Sequence, residues 1–275
     1  LATGDSATWT QTFDNKDVGT GKTLTPDGTV SDGNSGDNYD VTFVTVDDGV
    51  ITQRQLNVSG ATASDKMYDG TTTATVDFSG ASLVGEVCSE SVSLDTSSAS
   101  ATFDDKHVGT DKDITIAGLA LTGDDAGNYA LNPPEDVVAD ITQRPITATA
   151  VNYTKVYDGT ITGTDPESAD PRYGVPTFVL GGTDSLAGQT SLPGSDTVGF
   201  VQSFDNRHVG DLNKVLTPSG GVVDGNGGNN YSYTYNDYLY GTITPRAITV
   251  TAVAYEKVYD GTTRATDPGT DPERD

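Results

Sequence analysis

The sequence predicts an all-β protein made of tandem antiparallel β-sandwich repeats, of Ig-like or β-grasp-like kind, arranged as an elongated rod. Three observations carry this prediction. Short runs rich in Val, Ile, Thr, Tyr and Phe alternate with clusters of Gly, Asp and Asn, as strands alternate with turns. No stretch shows helical periodicity over a normal helix length. Short motifs also recur in a fixed order, which is typical of tandem domains.

Four motifs set the length of the repeat. They are Lys-x-Tyr-Asp-Gly-Thr at 66–71, 155–160 and 257–262, Phe-Asp-x-Lys/Arg-x-Val-Gly at 13–19, 103–109 and 204–210, Asn-Tyr at 38–39, 128–129 and 230–231, and Ile-Thr-Gln/Pro-Arg at 51–54, 141–144 and 243–246. The Phe, Tyr and Ile positions advance by 90 residues from the first copy to the second, and by 101 or 102 to the third. The repeat is therefore about 90 residues long, and the third copy carries an insertion.

The first strands are predicted in residues 1–54. Alternating residues through Trp9–Phe13 indicate a half-buried strand. Tyr39, Val41 and Phe43 stand at every second position and so share one face of another strand.

The next copy shows the clearest series of strands. Leu56 and Val58 are strand-like and lead to the turn signal Asp69-Gly70. Pro133-Pro134 ends pairing near the last Tyr-led strand. Further β-forming positions lie at Thr73, Thr75, Val76, Phe103, Val108, Ile114, Ile116, Leu119, Leu121, Tyr129 and Leu131.

The composition excludes several classes of partner. A formal net charge of −25 and a pI of about 4.1 disfavour nucleic acid and anionic membrane surfaces, which need basic patches. No long apolar run predicts membrane insertion, and no signal peptide or lipidation motif is present. The single Cys88 excludes an internal disulfide and is expected to be a small buried residue, not a nucleophile.

The motifs also resemble a known family. The Lys-x-Tyr-Asp-Gly-Thr-Thr start, the Phe-Asp-Asp-Lys-His-Val-Gly middle and the Gly-Asn-Tyr near the end are similar to the YDG/MBG-type repeats of large bacterial surface adhesins and exported filamentous proteins. The resemblance covers nearly the whole chain. It implies an extracellular, non-enzymatic stalk or adhesive repeat, with neighbouring repeats of the same protein as partners. The family's pattern carries no catalytic residues.

In that family the repeats are usually bounded at the Ile-Thr-x-Arg linker. This favours four parts. Residues 1–54 are a partial repeat that corresponds to the second half of the pattern, and 55–144 and 145–246 are complete repeats, the latter with the insertion in 163–196. Residues 247–275 are a partial repeat that corresponds to the first half of the pattern. The chain starts and stops within the pattern, so we expect it to be a fragment. The alternative is three domains, cut near 85–90 and 174–191. Half-repeats would expose strand edges, which favours completion by a neighbouring chain through strand addition.

The Tyr-Asp-Gly motif has a structural and a functional interpretation. Asp-Gly supplies the positive φ of a tight turn, and the Tyr anchors it at the edge of the core. A repeated turn is favoured over a ligand contact. The residues concerned are Tyr68, Asp69, Gly70, Tyr157, Asp158, Gly159, Tyr259, Asp260 and Gly261.

Acidic loops precede each Asn-Tyr pair. Oxygen ligands at short spacing suit Ca²⁺, the only cofactor that the sequence suggests, although Asx-turn loops have the same composition. The candidate ligands are Asp32, Asp37, Asp124, Asp125 and Asp224. A second hypothesis is an isopeptide bond between the recurring Lys (66, 155, 257) and Asn (38, 128, 230), which requires a desolvated neutral Lys.

The Tyr-rich run at 231–240 suggests glycan contacts, with Tyr235 and Tyr238 as the candidates and extracellular polysaccharide or cell-surface glycans as the partners. However, Tyr231, Tyr233 and Tyr235 align with the positions of Tyr39, Val41 and Phe43, so packing is favoured.

The sequence thus predicts a structural or adhesive segment of a bacterial surface protein, serving as a stalk or in biofilm cohesion. The alternatives are a carbohydrate-binding module and a filament subunit that associates head to tail through strand exchange.

Overall fold

A computed structural model describes residues 1–87, 89–164 and 174–265. Cys88, part of the insertion and the last ten residues lie outside this range, so the expectations for them are not addressed. In the described residues the regular elements are β-strands, apart from one 3-10 turn at Ala126–Asn128. The prediction of an all-β protein is therefore confirmed. None of these residues forms a helix with the length and apolarity needed to cross a membrane.

In the described parts of the chain, twenty-three strands follow the order of the motifs. The partial repeat at 1–54, called the first half-repeat from here on, contains β1 (Ser6–Phe13), β2 (Gly19–Ser31) and β3 (Val46–Ile51). The second repeat contains β4 (Arg54–Ser59), β5 (Thr62–Ser64), β6 (Lys66–Met67), β7 (Thr75–Asp77), β8 (Ser82–Val84), β9 (Ser93–Asp95), β10 (Ser100–Phe103), β11 (Gly109–Ala117), β12 (Ala120–Thr122), β13 (Tyr129–Asn132) and β14 (Val138–Thr142). The third contains β15 (Arg144–Thr149), β16 (Thr154–Val156), β17 (Thr177–Leu180), β18 (Thr197–Val198), β19 (Val201–Phe204), β20 (Gly210–Ser219), β21 (Val222–Val223), β22 (Tyr231–Asn236) and β23 (Tyr238–Thr244).

One three-stranded antiparallel unit occurs three times. It is β1-β2-β3 in the first half-repeat, β10-β11-β14 in the second repeat and β19-β20-β23 in the third. The recurring Phe occupies the same place each time, pairing with an aliphatic residue of the long strand: Phe13 with Leu24, Phe103 with Ile114 and Phe204 with Leu216. The Phe-Asp-x-Lys/Arg-x-Val-Gly motif is therefore the turn between the first two strands of this unit.

Parallel strands complete each whole repeat. The Lys-x-Tyr strand joins the last strand in parallel, as β6 joins β14 and β16 joins β23. The strand that begins with Arg pairs in parallel with the Asn-Tyr strand, as β4 pairs with β13 and β15 with β22. The expectation of purely antiparallel sheets is therefore wrong. Each parallel pair joins the start of a repeat to its end, and the long connection between them permits the parallel direction.

Most of the buried apolar residues that the structure describes belong to two clusters. The larger one contains residues of both complete repeats: Tyr68, Phe103, Ile114, Ile116, Val137, Ala139, Ile141, Ile146, Ala148, Leu180, Phe200, Val222 and Tyr231. The smaller one contains Ala150, Phe204, Leu216 and Ile243. Because the larger cluster runs from one repeat into the next, apolar burial stabilises the two repeats together.

The first half-repeat is much less buried than its equivalents. Phe13 is 42% exposed, whereas Phe103 and Phe204 are 3% and 2% exposed. The predicted half-buried strand at Trp9–Phe13 is present as part of β1, but Trp9 is 51% exposed. The predicted strand with Tyr39, Val41 and Phe43 does not form. Its equivalents β13 and β22 pair with Arg-led strands, and no described strand pairs with these residues.

Candidate functional site

The Lys-x-Tyr-Asp-Gly-Thr motif folds into a closed turn. The Lys66 ammonium donates hydrogen bonds to the Asp69 carboxylate at 2.9 Å and to the Thr71 carbonyl at 2.8 Å. Asp69 also accepts bonds from the backbone N–H and the hydroxyl of Thr71, at 2.9 and 2.8 Å. Gly70 has φ 77°, a conformation that glycine adopts without strain. Lys, Asp, Gly and Thr of the motif are therefore all used to close the turn.

The other two copies form the same turn. Lys155 lies 2.9 Å from the Asp158 carboxylate, and Lys257 lies 2.8 Å from that of Asp260. Hydrogen bonds from Lys155 and from the backbone of Thr160 lower the pKa of Asp158 to about 2. The glycines again have positive φ: 83° at Gly159 and 74° at Gly261. Since the turn also forms where Tyr259 is 93% exposed, its closure does not depend on burial of the Tyr.

The three Tyr residues of the motif have different surroundings. Tyr68 is fully buried, Tyr157 is half-buried and Tyr259 is exposed. The ring of Tyr68 meets the ring of Tyr231 edge-on, with 5.4 Å between centroids and 73° between planes. This Tyr therefore packs against the Asn-Tyr strand of the following repeat.

A buried carboxylate holds these two rings together. Asp196, whose side chain is 1% exposed, accepts hydrogen bonds from the hydroxyls of Tyr68 at 2.9 Å and Tyr231 at 2.7 Å. Lys106 of the second repeat forms an ion pair with the same carboxylate at 3.2 Å. Burial, together with the bond to Asp196, raises the pKa of the Tyr231 hydroxyl well above its usual value. The insertion in the third repeat thus supplies an acid that links the two repeats.

The loop before the Asn-Tyr pair is organised around one carboxylate. Asp224, which is 3% exposed, accepts hydrogen bonds from the backbone N–H groups of Asn226, Gly228 and Asn230 at 2.7, 2.8 and 3.0 Å. Asp32 likewise accepts hydrogen bonds from the backbone N–H groups of Asn34, Gly36 and Asn38, at 2.8, 2.8 and 3.0 Å. These loops are Asx-type turns, in which the carboxylate fixes the position of the Asn.

The fixed Asn accepts a backbone bond from the preceding repeat. The N–H of Val108 donates to the side-chain oxygen of Asn230 at 3.1 Å, and that of Val18 donates to Asn128 at 2.9 Å. The side chain of His107 also lies 3.1 Å from Asn230. We call this contact, between the Phe-Asp-x-Lys/Arg-x-Val-Gly turn of one repeat and the Asn-Tyr loop of the next, the repeat junction. The first junction joins the first half-repeat to the second repeat through Val18 and Asn128, and the second joins the second repeat to the third through Val108 and Asn230.

The Arg of the Ile-Thr-Gln-Arg motif is buried beside the second junction. Arg144 is 0% exposed and donates from Nε to the carbonyl of Tyr68 at 2.5 Å. Its Nη1 donates to the Gly181 carbonyl and to the Asp184 carboxylate, both at 3.0 Å. The guanidinium lowers the pKa of Asp184. The linker Arg thus joins the Tyr-Asp-Gly turn of one repeat to a loop of the next.

The Gln of the same motif closes the Asn-Tyr loop. Gln143 donates from Nε2 to the carbonyls of Asn229 and Tyr231, at 2.9 and 3.3 Å. Gln53 makes the equivalent bonds to Gly127 and Tyr129, at 3.2 and 3.0 Å. The motif therefore connects consecutive repeats through specific polar contacts.

The first junction uses different acids. Lys16 pairs with Glu90 at 2.8 Å and with Asp125 at 2.6 Å. The hydroxyl of Tyr129 donates to Glu90, as that of Tyr231 donates to Asp196. The two junctions therefore share one charge pattern. At each, a Lys of the preceding repeat pairs with a carboxylate that also accepts the Tyr hydroxyl of the following repeat.

The candidate calcium ligands do not form a cluster. Asp32 and Asp224 use their oxygens on backbone N–H groups, and Asp125 pairs with Lys16. Asp37 and Asp124 are exposed. No group of three or more His, Cys, Asp or Glu in the described residues is arranged to hold a metal ion. Of the two interpretations left open by the sequence, the Asx-type loop describes Asp32 and Asp224, and calcium binding stays a hypothesis.

The candidate glycan contacts lie in different surroundings. Tyr235 stacks on Tyr233, with 6.1 Å between centroids and 6° between planes, and its hydroxyl donates to the Gly220 carbonyl. Tyr238 packs against the smaller core cluster and meets Tyr240 edge-on at 5.9 Å. The two candidates thus pack in separate groups of side chains.

The proposed isopeptide partners are not in contact. Lys66 is bonded within its own turn, and Asn128 and Asn230 are bonded to the valine N–H groups of the preceding repeats. In this structure the Lys of each motif lies in an ion pair of its own turn, so the two partners of the hypothesis are not brought together.

Some junction residues were not singled out from the sequence. Asp196 lies in the insertion and outside the four motifs, so the motifs do not point to it. A signal was available, because Asp5 and Asp196 each stand eight residues before the recurring Phe and each accept the hydroxyl of the Asn-Tyr tyrosine, at 2.7 Å from Tyr39 and from Tyr231.

Comparison with known proteins gives one match. Neither a curated protein nor a solved structure matches this chain. The match is to a domain family, and it covers most of the second repeat, including the Tyr68 turn, the Phe103 hairpin and the Asn128-Tyr129 pair. The chain contains a YDG domain at residues 52–136.

Proposed function

We propose that this chain is a non-enzymatic structural segment of a secreted or cell-surface bacterial adhesin. Its docked repeats form a stalk that projects a binding tip or takes part in the cohesion of cells and matrix in biofilms. The observation that carries the proposal is the recurrence of the repeat junction, with the valine N–H of one repeat on the Asn side chain of the next at both positions. The recurring Val and Asn of two motifs thus join consecutive repeats.

A junction of this kind favours a stiff connection. Flexible linkers between domains carry few contacts, and relative motion is then expected. Here the linker residue Arg144 is fully buried, and Asp196 joins Tyr68 and Lys106 to the following repeat. Buried polar bonds hold one relative orientation because every alternative leaves polar groups unpaired. Repeats added in the same orientation would extend the molecule as a rod.

Small-angle scattering together with mass determination tests the rod. A dilute monomer is expected to give an elongated, rigid profile. A double variant of the second junction, Asp196→Asn with Asn230→Ala, is expected to become flexible. A compact wild-type monomer, or identical profiles for the two proteins, would contradict the proposal.

The stalk function is tested on cells. A known binding module can be displayed on a nonadherent bacterium through this chain or through a flexible Gly/Ser linker of equal length. A stiff stalk is expected to give more attachment than the flexible linker, which has a short average reach. Equal attachment through both would argue against a stalk.

The carbohydrate-binding alternative keeps one supporting observation. Tyr235 and Tyr240 are 40% and 58% exposed, so aromatic surface is available to a sugar ring. A glycan array distinguishes the alternatives. No binding is expected from a stalk, whereas binding that disappears in Tyr235→Ala or Tyr238→Ala would favour a carbohydrate-binding module.

A further inference from the structure

The four parallel strand pairs in the described residues all connect the first part of a repeat to its last part. In the second repeat β4 pairs with β13 and β6 with β14, and in the third β15 pairs with β22 and β16 with β23. In each pair one strand lies near the point where the chain enters the repeat, and the other lies near the point where the chain leaves it. The hydrogen bonds of these pairs therefore connect the two ends of a repeat directly.

The chain passes from one strand to the next with little slack at these places. Only Gln143 separates β14 of the second repeat from β15 of the third, and only Asp237 separates β22 from β23. Tension applied along the chain is therefore transmitted straight into the parallel pairs. In the third repeat it pulls β15 and β16 towards their N-terminal ends, and it pulls β22 and β23 towards their C-terminal ends.

A parallel pair that is pulled in this way is sheared. Because both strands run in the same direction, opposite pulls on the N-terminal end of one and the C-terminal end of the other act along the strands. The evenly spaced hydrogen bonds of the pair then carry the force together. A pull that separates two neighbouring ends would instead break the bonds one after another. The strand directions therefore give each complete repeat its greater resistance along the direction of the chain.

The hydrogen bonds that share the force extend beyond the strands. The N–H of Thr242 donates to the Tyr153 carbonyl at 3.2 Å before β16, and the N–H of Tyr157 donates to the Thr244 carbonyl at 2.9 Å after it. The register of β16 with β23 covers three positions, and that of β15 with β22 covers six. The corresponding pairs of the second repeat cover two and four. The third repeat therefore has the longer parallel contact.

Side chains at the pair also oppose sliding. Ile243, which lies beside Lys155 in the register, is 1% exposed and belongs to the smaller core cluster. A slip of one residue turns the side chains of a strand to the opposite face, so it would remove Ile243 from the core. Tyr157 follows β16 directly and packs against the same cluster. The motif Tyr is thus a stop at the end of the strand that the tension pulls.

The stop of the second repeat is held by the third. Tyr68 follows β6 directly, and its N–H donates to the Thr142 carbonyl of β14 at 2.9 Å. Its side chain is completely buried, and its hydroxyl donates to Asp196 of the third repeat at 2.9 Å. The neighbouring repeat therefore helps to keep β6 in register when the chain is pulled.

We propose that each complete repeat is a shear clamp, whose further function is to withstand tension along the chain without unfolding. The clamp consists of the two parallel pairs of the repeat and the motif Tyr that follows β6 or β16. A stalk fixed to a cell at one end and to a surface at the other would experience such tension. That use of the clamp rests on the proposed function, whereas the clamp itself follows from the strand directions within one repeat.

Single-molecule pulling on the full 275-residue chain tests the clamp between β16 and β23. The shear variant carries handles at Asn152→Cys and Ala247→Cys, before β16 and after β23. The unzipping variant carries them at Val156→Cys and Ala247→Cys, at the neighbouring C-terminal ends of the two strands. The three handle positions are exposed. Both variants carry Cys88→Ser, so that handles attach only where intended.

The shear variant is expected to unfold at a force several-fold higher than the unzipping variant at the same loading rate. Both release nearly the same length of chain, about 300 Å, so the same unfolding event is compared. Circular dichroism establishes that both variants are folded. Because forced unfolding follows the unfolding rate, the comparison reports the direction of pulling and not the equilibrium stability. Equal forces, or a lower force in shear, would overturn the proposal.

Tyr157→Ala, introduced into both pulling variants, tests the stop. It is expected to lower the force in shear more than the force in unzipping, so that the ratio of the two forces falls. A general loss of stability would lower both forces in proportion and leave the ratio unchanged, which would overturn the role of this Tyr. The control is Tyr255→Ala, at a residue 54% exposed and outside the pulled segment, which is expected to change neither force.

These measurements separate the clamp from the proposed function. The forces are measured within one repeat and do not depend on how consecutive repeats are oriented. Equal forces in the two pulling directions would overturn the clamp and leave the scattering and display tests of the stalk unaffected. A flexible scattering profile would contradict the stiff stalk, whereas the force ratio would still decide the clamp.

Discussion

The N–H of Val108 and the side-chain oxygen of Asn230 lie 3.1 Å apart although 122 residues separate them in the chain. Asn230 is completely buried, and its oxygen also accepts a bond from Asn226 at 2.9 Å. A side-chain acceptor in this position satisfies a backbone donor that would otherwise lie unpaired between two repeats. The bond therefore ties the correct folding of one repeat to the presence of its neighbour.

Asn230→Ala is expected to destabilise the folded chain by about 1 to 3 kcal/mol, because it leaves the Val108 donor without its acceptor. The unfolding midpoint in urea, followed by circular dichroism on dilute protein, measures the effect. Asn38→Ala is the matched control, since among the described residues the Asn38 oxygen accepts only from Asn34. If the two variants lose equal stability, the bond between repeats has no special role.

The Asp196 carboxylate gives a second prediction at the same junction. Asp196→Asn removes the charge that pairs with Lys106 and presents a donor to the hydroxyls of Tyr68 and Tyr231. Breaking a pair whose carboxylate is buried is expected to cost about 3 kcal/mol. Urea unfolding compares this variant with Asp237→Asn, which removes the same charge from an exposed position between β22 and β23. A loss at Asp196 no larger than at Asp237 would contradict the role of this acid.

The sequence was sufficient for the local structure of the motifs. Asp69-Gly70 predicts a turn, and both residues serve it, because Asp and Gly favour turns through chemistry that acts within a few residues. The alternation through Trp9–Phe13 likewise predicts β1, although not how exposed it is. The exposure of a strand depends on which other elements pack against it, and the local alternation of residues does not show that.

The pairing of strands that are far apart in the chain could not be predicted from the sequence. The parallel pairing of Arg54 with Tyr129 and of Arg144 with Tyr231 joins residues far apart in the chain, so the predicted antiparallel sheets were wrong in part. The sequence suggests the recurring Asn as the isopeptide partner of the recurring Lys. Its oxygen instead accepts the N–H of Val18 or Val108, and any residue type except proline offers such a donor.

The glycine of the Tyr-Asp-Gly turn provides a matched pair within one chain. Gly70→Ala and Gly159→Ala both place an L side chain at positive φ, 77° and 83°, which is expected to cost about 1 kcal/mol each. At Gly70 the new Cβ also meets Pro193 Cβ at 3.2 Å and Gly194 N at 3.3 Å, whereas at Gly159 nothing lies within 4 Å. Gly70→Ala is therefore expected to lower the urea midpoint more. Equal losses would mean that the two repeats separate readily at this contact.

The turn in the third repeat predicts a pH dependence. Hydrogen bonds from Lys155 and from the backbone of Thr160 lower the pKa of Asp158 from 3.8 to about 2. A carboxylate with a lowered pKa stabilises the folded state fully above its unfolded pKa, and this contribution is lost as the pH falls towards the folded value. Asp158→Asn is therefore expected to be less stable than the wild type at neutral pH, with a difference that shrinks between about pH 4 and about pH 2. Urea midpoints measured across this range, with Asp237→Asn as the control for the loss of one exposed charge, follow the difference. A constant difference down to pH 2 would mean that Asp158 acts through its shape and not through its charge.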